Sequence, residues 1–272
     1  MKRFLEWCKN TTRFLNRSSK PGKMKVGLVE SLNARPLTWG FEKNPLIETV
    51  YESPKVLSEM LLRGELDTAL ISSVECLRNQ DKLSYSLSCG VCTKTSVRSI
   101  LFFHHKMDKV DLSKVLVESG SRTSVALLDL LLWKQFKRRI NLIPEAPSII
   151  KDQLKQSQGS HLLFGDNALL ADYDSSIYEV FDLAEWWNRI TGFYFIFALW
   201  AYPKDKWIQD SFFLESLEFG MENIQDIIDQ EKRFPSKFTY NYLMKELYYK
   251  PEAKSFQGFL QFEIELKKMG IL

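Results

Sequence analysis

The stretch KVLVESGSRTSVALLDLLLWKQF, residues 114–136, decides how this chain is read. Residues 114–117 are an apolar run of strand length, Ser119-Gly120-Ser121 reads as a turn, and residues 123–136 continue as a strongly apolar helix. Strand, tight turn and helix form the half-unit of an open α/β sheet, where ligands bind outside the strand carboxyl ends. Glycine permits a close approach at such a turn. The helix amino end carries free N–H groups and partial positive charge, which favour a carboxylate or phosphate. Arg122 can add bidentate contacts to a carboxylate. Ser121, Arg122, Thr123 and Ser124 are therefore candidate ligand residues, weighed against an ordinary N-cap beside a surface arginine.

The same pattern recurs on both sides. Residues 25–29, 47–51, 68–71 and 97–103 read as strands, with ESLNARPL at 30–37, LISSVE at 70–75 and VRS at 97–99 as their polar junctions. Pro36 suits the first turn of one helix, Ser53-Pro54 starts another, and Gly64 stops it. A second set begins near Asp111, with a strand at 161–164, the turn FGDNAL at 164–169 and an aromatic strand within 192–202. Everything after Lys204 has a helical pattern, including 212–228 and 240–249. This order predicts an α/β protein with mixed, mostly parallel sheets and a helical C-terminal region. Two lobes with a cleft between them are expected: residues 24–103 plus 200–272, and residues 104–199. Residues 1–23 are expected to be a flexible basic leader.

Composition narrows the function. The chain has 272 residues, 45% of them hydrophobic, and a net charge of +3, too small to imply a nucleic-acid partner. The leader holds seven basic residues against one acidic, so the remainder is at −3. Phe4, Trp7, Cys8, Thr11 and Leu15 fall at helical spacing there, which offers a second reading of the leader as a membrane-surface helix. No run is long enough to span a bilayer and no secretory signal is visible, so the expected compartment is the cytoplasm. Cys89-Gly-Val-Cys92 has the spacing of redox and zinc motifs, but no second pair accompanies it, and two partly buried thiols are expected.

Candidate bases are scarce. His104 and His105 are adjacent and point apart, and His161 reads as structural. No Gly-x-Ser-x-Gly elbow, Walker loop or H-E-x-x-H is present, and no metal or cofactor is expected. Asn33 can donate and accept, which suits holding a hydroxyl or carboxylate, with a simple turn residue as the alternative. Ser72 and Ser73 precede a helix start, as caps or as an anion site. Asp166 more readily caps a helix than performs catalysis.

These turns, taken in order, resemble the chorismate dehydratase family of the futalosine route to menaquinone. The resemblance rests on S-L-N-x-x-P-L within 27–37, R-G-E-L-D ending at Asp67, L-I-S-S-V-E-x-x-R-N at 70–79, S-R-T-S-V at 121–125 and G-D-x-A-L at 165–169. It continues through D-L-x-x-x-W and T-G-x-x-F-x-F-A-x-W-A between Asp182 and Ala201. The resemblance implies a type II periplasmic-binding-protein-like fold and loss of water from chorismate to give 3-[(1-carboxyvinyl)oxy]benzoate.

On that resemblance, Ser31, Ser72, Ser73, Ser121, Arg122, Thr123, Ser124 and Asp166 are expected to bind the dicarboxylate substrate. Asn33 and Ser99 are expected to orient the reacting ring and leaving hydroxyl, with the enolpyruvyl carboxylate of chorismate taking the ring proton. A non-catalytic intracellular sensor of small anions and the related dihydroxynaphthoate synthase are the alternatives. Two turns depart from the family pattern: Lys94-Thr-Ser-Val97 replaces a D-G-P-V turn before Ser99, and Thr191-Gly-Phe-Tyr-Phe195 lacks a common proline.

Overall fold

A computed structural model describes residues 6–8, 23–106 and 114–272 of the chain. In chain order the elements begin with β1 (Met24–Leu28), a 3-10 turn at Leu32–Ala34, α1 (Arg35–Lys43), β2 (Ile47–Tyr51) and α2 (Pro54–Leu62). Next come β3 (Thr68–Ser72), α3 (Ser73–Arg78), β4 (Leu83–Thr93), β5 (Ile100–His105), β6 (Lys114–Glu118) and α4 (Arg122–Phe136). They continue with β7 (Asn141–Glu145), α5 (Pro147–Lys155), β8 (Ser160–Phe164), α6 (Gly165–Leu169), β9 (Tyr178–Asp182) and α7 (Leu183–Thr191). The last are β10 (Phe195–Pro203), α8 (Asp210–Glu222), α9 (Ile224–Gln230), α10 (Ser236–Asn241), a π-helical turn at Tyr242–Glu246, β11 (Leu247–Tyr248) and α11 (Ala253–Lys268). The chain forms two compact units, residues 1–92 with 197–251 and residues 93–196 with 252–272.

The first unit holds a six-stranded sheet in the order β11-β4-β10-β3-β1-β2. β1 runs parallel to β2 and β3, and β10 is antiparallel to β3. Gly27 of β1 lies where a side chain would collide with Ala69, Leu57 and Leu66, so its absence lets β3 and α2 close onto β1. α1 and α8 cross equally tightly: a Cβ on Gly220 would sit 2.0 Å from the Pro36 carbonyl. At that crossing the Ser216 hydroxyl donates to the Leu37 carbonyl at 2.8 Å. Phe41, Trp200, Phe212 and Phe213 fill the core beside it, with Phe41 edge-on to Trp200 at 4.9 Å between centroids.

The second unit holds a five-stranded sheet in the order β7-β6-β8-β5-β9. β6 is parallel to β7 and β8, while β5 is antiparallel to both β8 and β9. Phe103, Leu116, Leu163 and Tyr178 pack with Ile150 and Leu154 of α5 on one side of the sheet. α11 belongs to this unit because Phe262 fills the space against Trp187 and Phe195, with centroids at 6.0 and 5.0 Å. Lys134 of α4 and Glu265 of α11 add an ion pair at 2.8 Å.

Several boundaries differ from the sequence expectation. Residues 93–103 and 252–272 group with the second unit rather than the first. The strand expected at 97–103 begins at Ile100, because the amides of Val97 and Arg98 are taken by Asp182 and Arg98 has a left-handed φ of 55°. The segment 240–249 is not one helix: it ends in β11. Trp7 of the leader is buried against Phe41 and Phe212, so Trp7 and Cys8 pack on the first unit while Glu6 is exposed. Phe4, Thr11 and Leu15 lie outside the described residues. Among the described residues no helix is long and apolar enough to cross a membrane.

Candidate functional site

In the first unit the predicted residues gather at the carboxyl ends of the parallel strands β1 and β3, the ligand-binding edge of such a sheet. Beyond β1 the chain turns through Ser31 and Asn33 into α1. The Ser31 hydroxyl donates to Asn33 Oδ1 at 2.7 Å, which fixes the amide and turns its NH2 group away from that bond. Asn33 is half-buried, and its Nδ2 has no partner among the described residues. Arg35 of the same motif is spent locally, donating to Glu42 at 2.6 Å.

Ser72 ends β3 and Ser73 opens α3; both are buried, and Ser72 makes no side-chain cap. The rest of that motif is structural. Glu75 is buried and accepts from Arg78 at 3.0 Å, Ser58 at 3.3 Å and Asn79 at 3.4 Å, which pins α3 beneath the serines. Asp67, from the R-G-E-L-D run, accepts the Lys25 amide at 2.8 Å and so anchors the start of β1.

In the second unit three turns meet at one end of the sheet, because β6, β8 and β5 are successive neighbours. The Gly165 amide donates to the Ser99 carbonyl at 2.6 Å, joining the turn before β5 to the start of α6. Phe164 lies over Gly120, where a Cβ would come within 2.9 Å of the ring, joining α6 to the 119–124 turn. Ser99 is fully buried, and its hydroxyl has no hydrogen-bond partner. A buried hydroxyl without a partner costs about 1–3 kcal/mol, so Ser99 weighs against stability.

The hydroxyls of Ser121 and Ser124 are 3.0 Å apart, and Ser121 accepts the Ser124 amide at 3.4 Å. Ser121 is thus the N-cap of α4, the plainer of its two expected roles. Arg122 is half-buried in the first turn, and Thr123 and Ser124 are buried behind it. Asp166 sits half-buried in the first turn of α6.

Two carboxylates that the sequence reading passed over organise these turns. Glu118 ends β6 immediately before the turn and is only 6% exposed. Its oxygens accept the Phe164 amide at 3.0 Å and the Asn167 side-chain NH2 at 2.7 Å. Burial pushes the Glu118 carboxyl up to about 7, against the pull of those two donors. Asp182 ends β9 and accepts four backbone amides: Val97 and Arg98 at 2.7 Å each, Ala184 at 2.9 Å and Glu185 at 3.2 Å. Burial also raises its carboxyl above the ordinary range. The available signal was position: each is an acid at the last residue of its strand.

The cysteines have no reactive setting. Cys89 and Cys92 are free, buried thiols on β4, and burial pushes Cys89 up to about 12 and Cys92 well above its ordinary value. His104 is stacked on Phe102 at 5.7 Å within the second sheet.

Residues 24–267 match the model of a family described as menaquinone biosynthesis. The chorismate dehydratase of Thermus thermophilus is 30% identical over 200 residues, covering 66% of this chain and 70% of the relative. Among solved structures, a structural-genomics protein of Archaeoglobus fulgidus superposes with a TM-score of 0.73 at 15% identity, covering 92% of this chain and 98% of that one. The periplasmic aliphatic sulphonate binding protein of Escherichia coli gives 0.62 at 15% identity, over 93% and 89%. A Candida albicans protein described as having the generic periplasmic-binding-protein fold gives 0.57 at 14% identity, over 93% and 91%. These likenesses establish the periplasmic-binding-protein-like fold.

Proposed function

The chain belongs to the menaquinone biosynthesis family, and from that membership we propose that it is a chorismate dehydratase, a hydro-lyase acting on a small dicarboxylate. The reaction breaks one ring C–H bond and the ring C–OH bond, releases water, and leaves an aromatic ring in 3-[(1-carboxyvinyl)oxy]benzoate. Aromatisation supplies driving force, so the protein's task is to hold the ring and assist the departing hydroxyl.

The observation that carries the assignment is the pair of polar groups left unspent within otherwise satisfied family turns: the Asn33 amide nitrogen and the Ser99 hydroxyl. Both suit hydrogen bonds to a hydroxyl or carboxylate of the substrate. Arg122, Thr123 and Ser124 at the start of α4, with Ser72 and Ser73 at the start of α3, supply helix-end N–H groups and side-chain donors for carboxylates. Ser31 holds Asn33, and Ser121 holds the start of α4. Asp166, an acceptor, faces a substrate hydroxyl in this reading. The enolpyruvyl carboxylate of chorismate takes the ring proton, and no cofactor enters. All four cysteines are free, which suits a reducing cytoplasm.

The test is direct. Purified protein mixed with chorismate is expected to yield a product lighter by one water in the mass spectrum. Tight binding of chorismate with no loss of water would overturn the enzyme in favour of an anion sensor.

A further inference from the structure

Glu118 stands out among buried titratable groups because it touches two of the three turns of the second unit that carry proposed substrate residues, those at 119–124 and at the start of α6. Its main chain leads into the 119–124 turn, and its side chain grips the other turn through the Phe164 amide and Asn167. Asn167 is held from its far side, where its Oδ1 accepts from Lys151 at 2.6 Å. That bond fixes which end of the Asn167 amide faces Glu118: the NH2 end, a donor. Phe164 returns the contact by packing its ring over Gly120. The two turns are therefore locked by one carboxylate that accepts from two donors among the described residues.

We propose that Glu118 is a positioning residue for chorismate binding: its ionised carboxylate holds the 119–124 turn, which receives a substrate carboxylate, in register with the start of α6, where Asp166 faces a substrate hydroxyl. This rests on the dehydratase reading above. Both contacts need an acceptor. Protonation puts an O–H against an N–H donor, so one contact breaks and the two turns separate.

The surrounding charges are few. Lys151 on α5 draws the carboxyl down and Asp166 on α6 pushes it up. Glu145, its register neighbour on β7, has its own carboxylate turned to the Ala146 amide. Arg122 opens the helix beyond the turn. With burial the dominant influence, the change of state falls near neutral pH.

The experiment is steady-state turnover of chorismate from about pH 6 to pH 8, with wild type, Glu118→Gln and Asn167→Ala. In wild type, KM should be roughly tenfold higher at the acid end with kcat within about twofold, as one ionisation near 7 requires. Glu118→Gln should have a raised KM with no pH dependence across that range. Asn167→Ala keeps the carboxylate but drops one donor, so its KM inflection should move to higher pH; this arm stands alone if Glu118→Gln does not fold. A Glu118→Gln enzyme with the wild-type pH profile of KM, or an unmoved inflection in Asn167→Ala, overturns the proposal. Amide hydrogen exchange of residues 164–167 separates this outcome from failure of the dehydratase reading. Faster exchange in Asn167→Ala without chorismate turnover in any variant rejects that reading and with it the link to chorismate, whereas unchanged exchange rejects the positioning role itself.

Discussion

Asp182 takes the amide hydrogens of Val97 and Arg98 on a single carboxylate oxygen, both at 2.7 Å. Its other oxygen caps α7 through Ala184 and Glu185. The turn before Ser99, whose sequence departs from the family pattern, is thus shaped by a carboxylate outside it. Its side chains can vary because its backbone is what is gripped. Asp182→Ala should cost about 3 kcal/mol, the combined loss of a cap and of a buried acceptor, read by urea unfolding. A cost under about 0.5 kcal/mol would show that the turn holds itself.

Ser99→Ala separates stability from function. The hydroxyl is buried without a partner, so deleting it should leave the protein as stable or about 1 kcal/mol more stable. Chorismate turnover should fall at least about tenfold, the value of one hydrogen bond made to the departing hydroxyl. A destabilised protein of full activity would contradict both halves.

Asn33→Asp is the corresponding test in the first unit. Aspartate keeps the acceptor for the Ser31 hydroxyl, so the turn and the melting temperature should hold. It replaces a donor by a negative charge facing an anionic substrate, and kcat/KM should fall about a hundredfold, or roughly 3 kcal/mol of binding in the transition state. Wild-type kcat/KM in this variant would remove Asn33 from the site.

Glu118 also leaves a signature in stability. Its folded-state carboxyl titrates near 7 against an ordinary value of 4.5. Between those values the folded protein keeps a proton that the unfolded chain has released, so this group's contribution falls as pH rises through that window. The full effect is about 3 kcal/mol. Urea unfolding across the window should show the slope in wild type and a flatter one in Glu118→Gln. Equal slopes would place the titration elsewhere.

The parallel strands and their polar turns were legible because apolar runs followed by Ser, Asn and Gly turns have few other uses. Thus β1, β2, β3, β6 and β8 were found at nearly their true limits. β4, β7 and β9 were missed. β7 carries Pro144 and exposed Asn141 on a sheet edge, and β9 mixes Glu179 with Phe181, so neither shows a clean period. β4 mixes three serines and the Cys-x-x-Cys spacing with few large apolar residues, so its composition does not read as a strand although most of it is buried. At the site, Ser121 was visible as a cap or ligand and is a cap, since its oxygen meets the Ser124 amide. Glu118 and Asp182 do not read as organisers in the sequence because each has partners in another turn, with Phe164 46 residues and Val97 85 residues away. Such pairings exist only once the sheet has brought strand ends together.

The packing of Phe262 on Trp187 and Phe195 has a consequence for synthesis. The second unit is made mostly from the middle of the chain, yet its core closes with a residue from α11. On the ribosome, Trp187 and Phe195 must wait with an open apolar face until roughly seventy more residues have been added, several seconds at ordinary rates of elongation. A nascent chain stalled before α11 therefore carries a nearly finished sheet with an uncovered aromatic hollow, the state in which chaperone capture or aggregation would act on this protein.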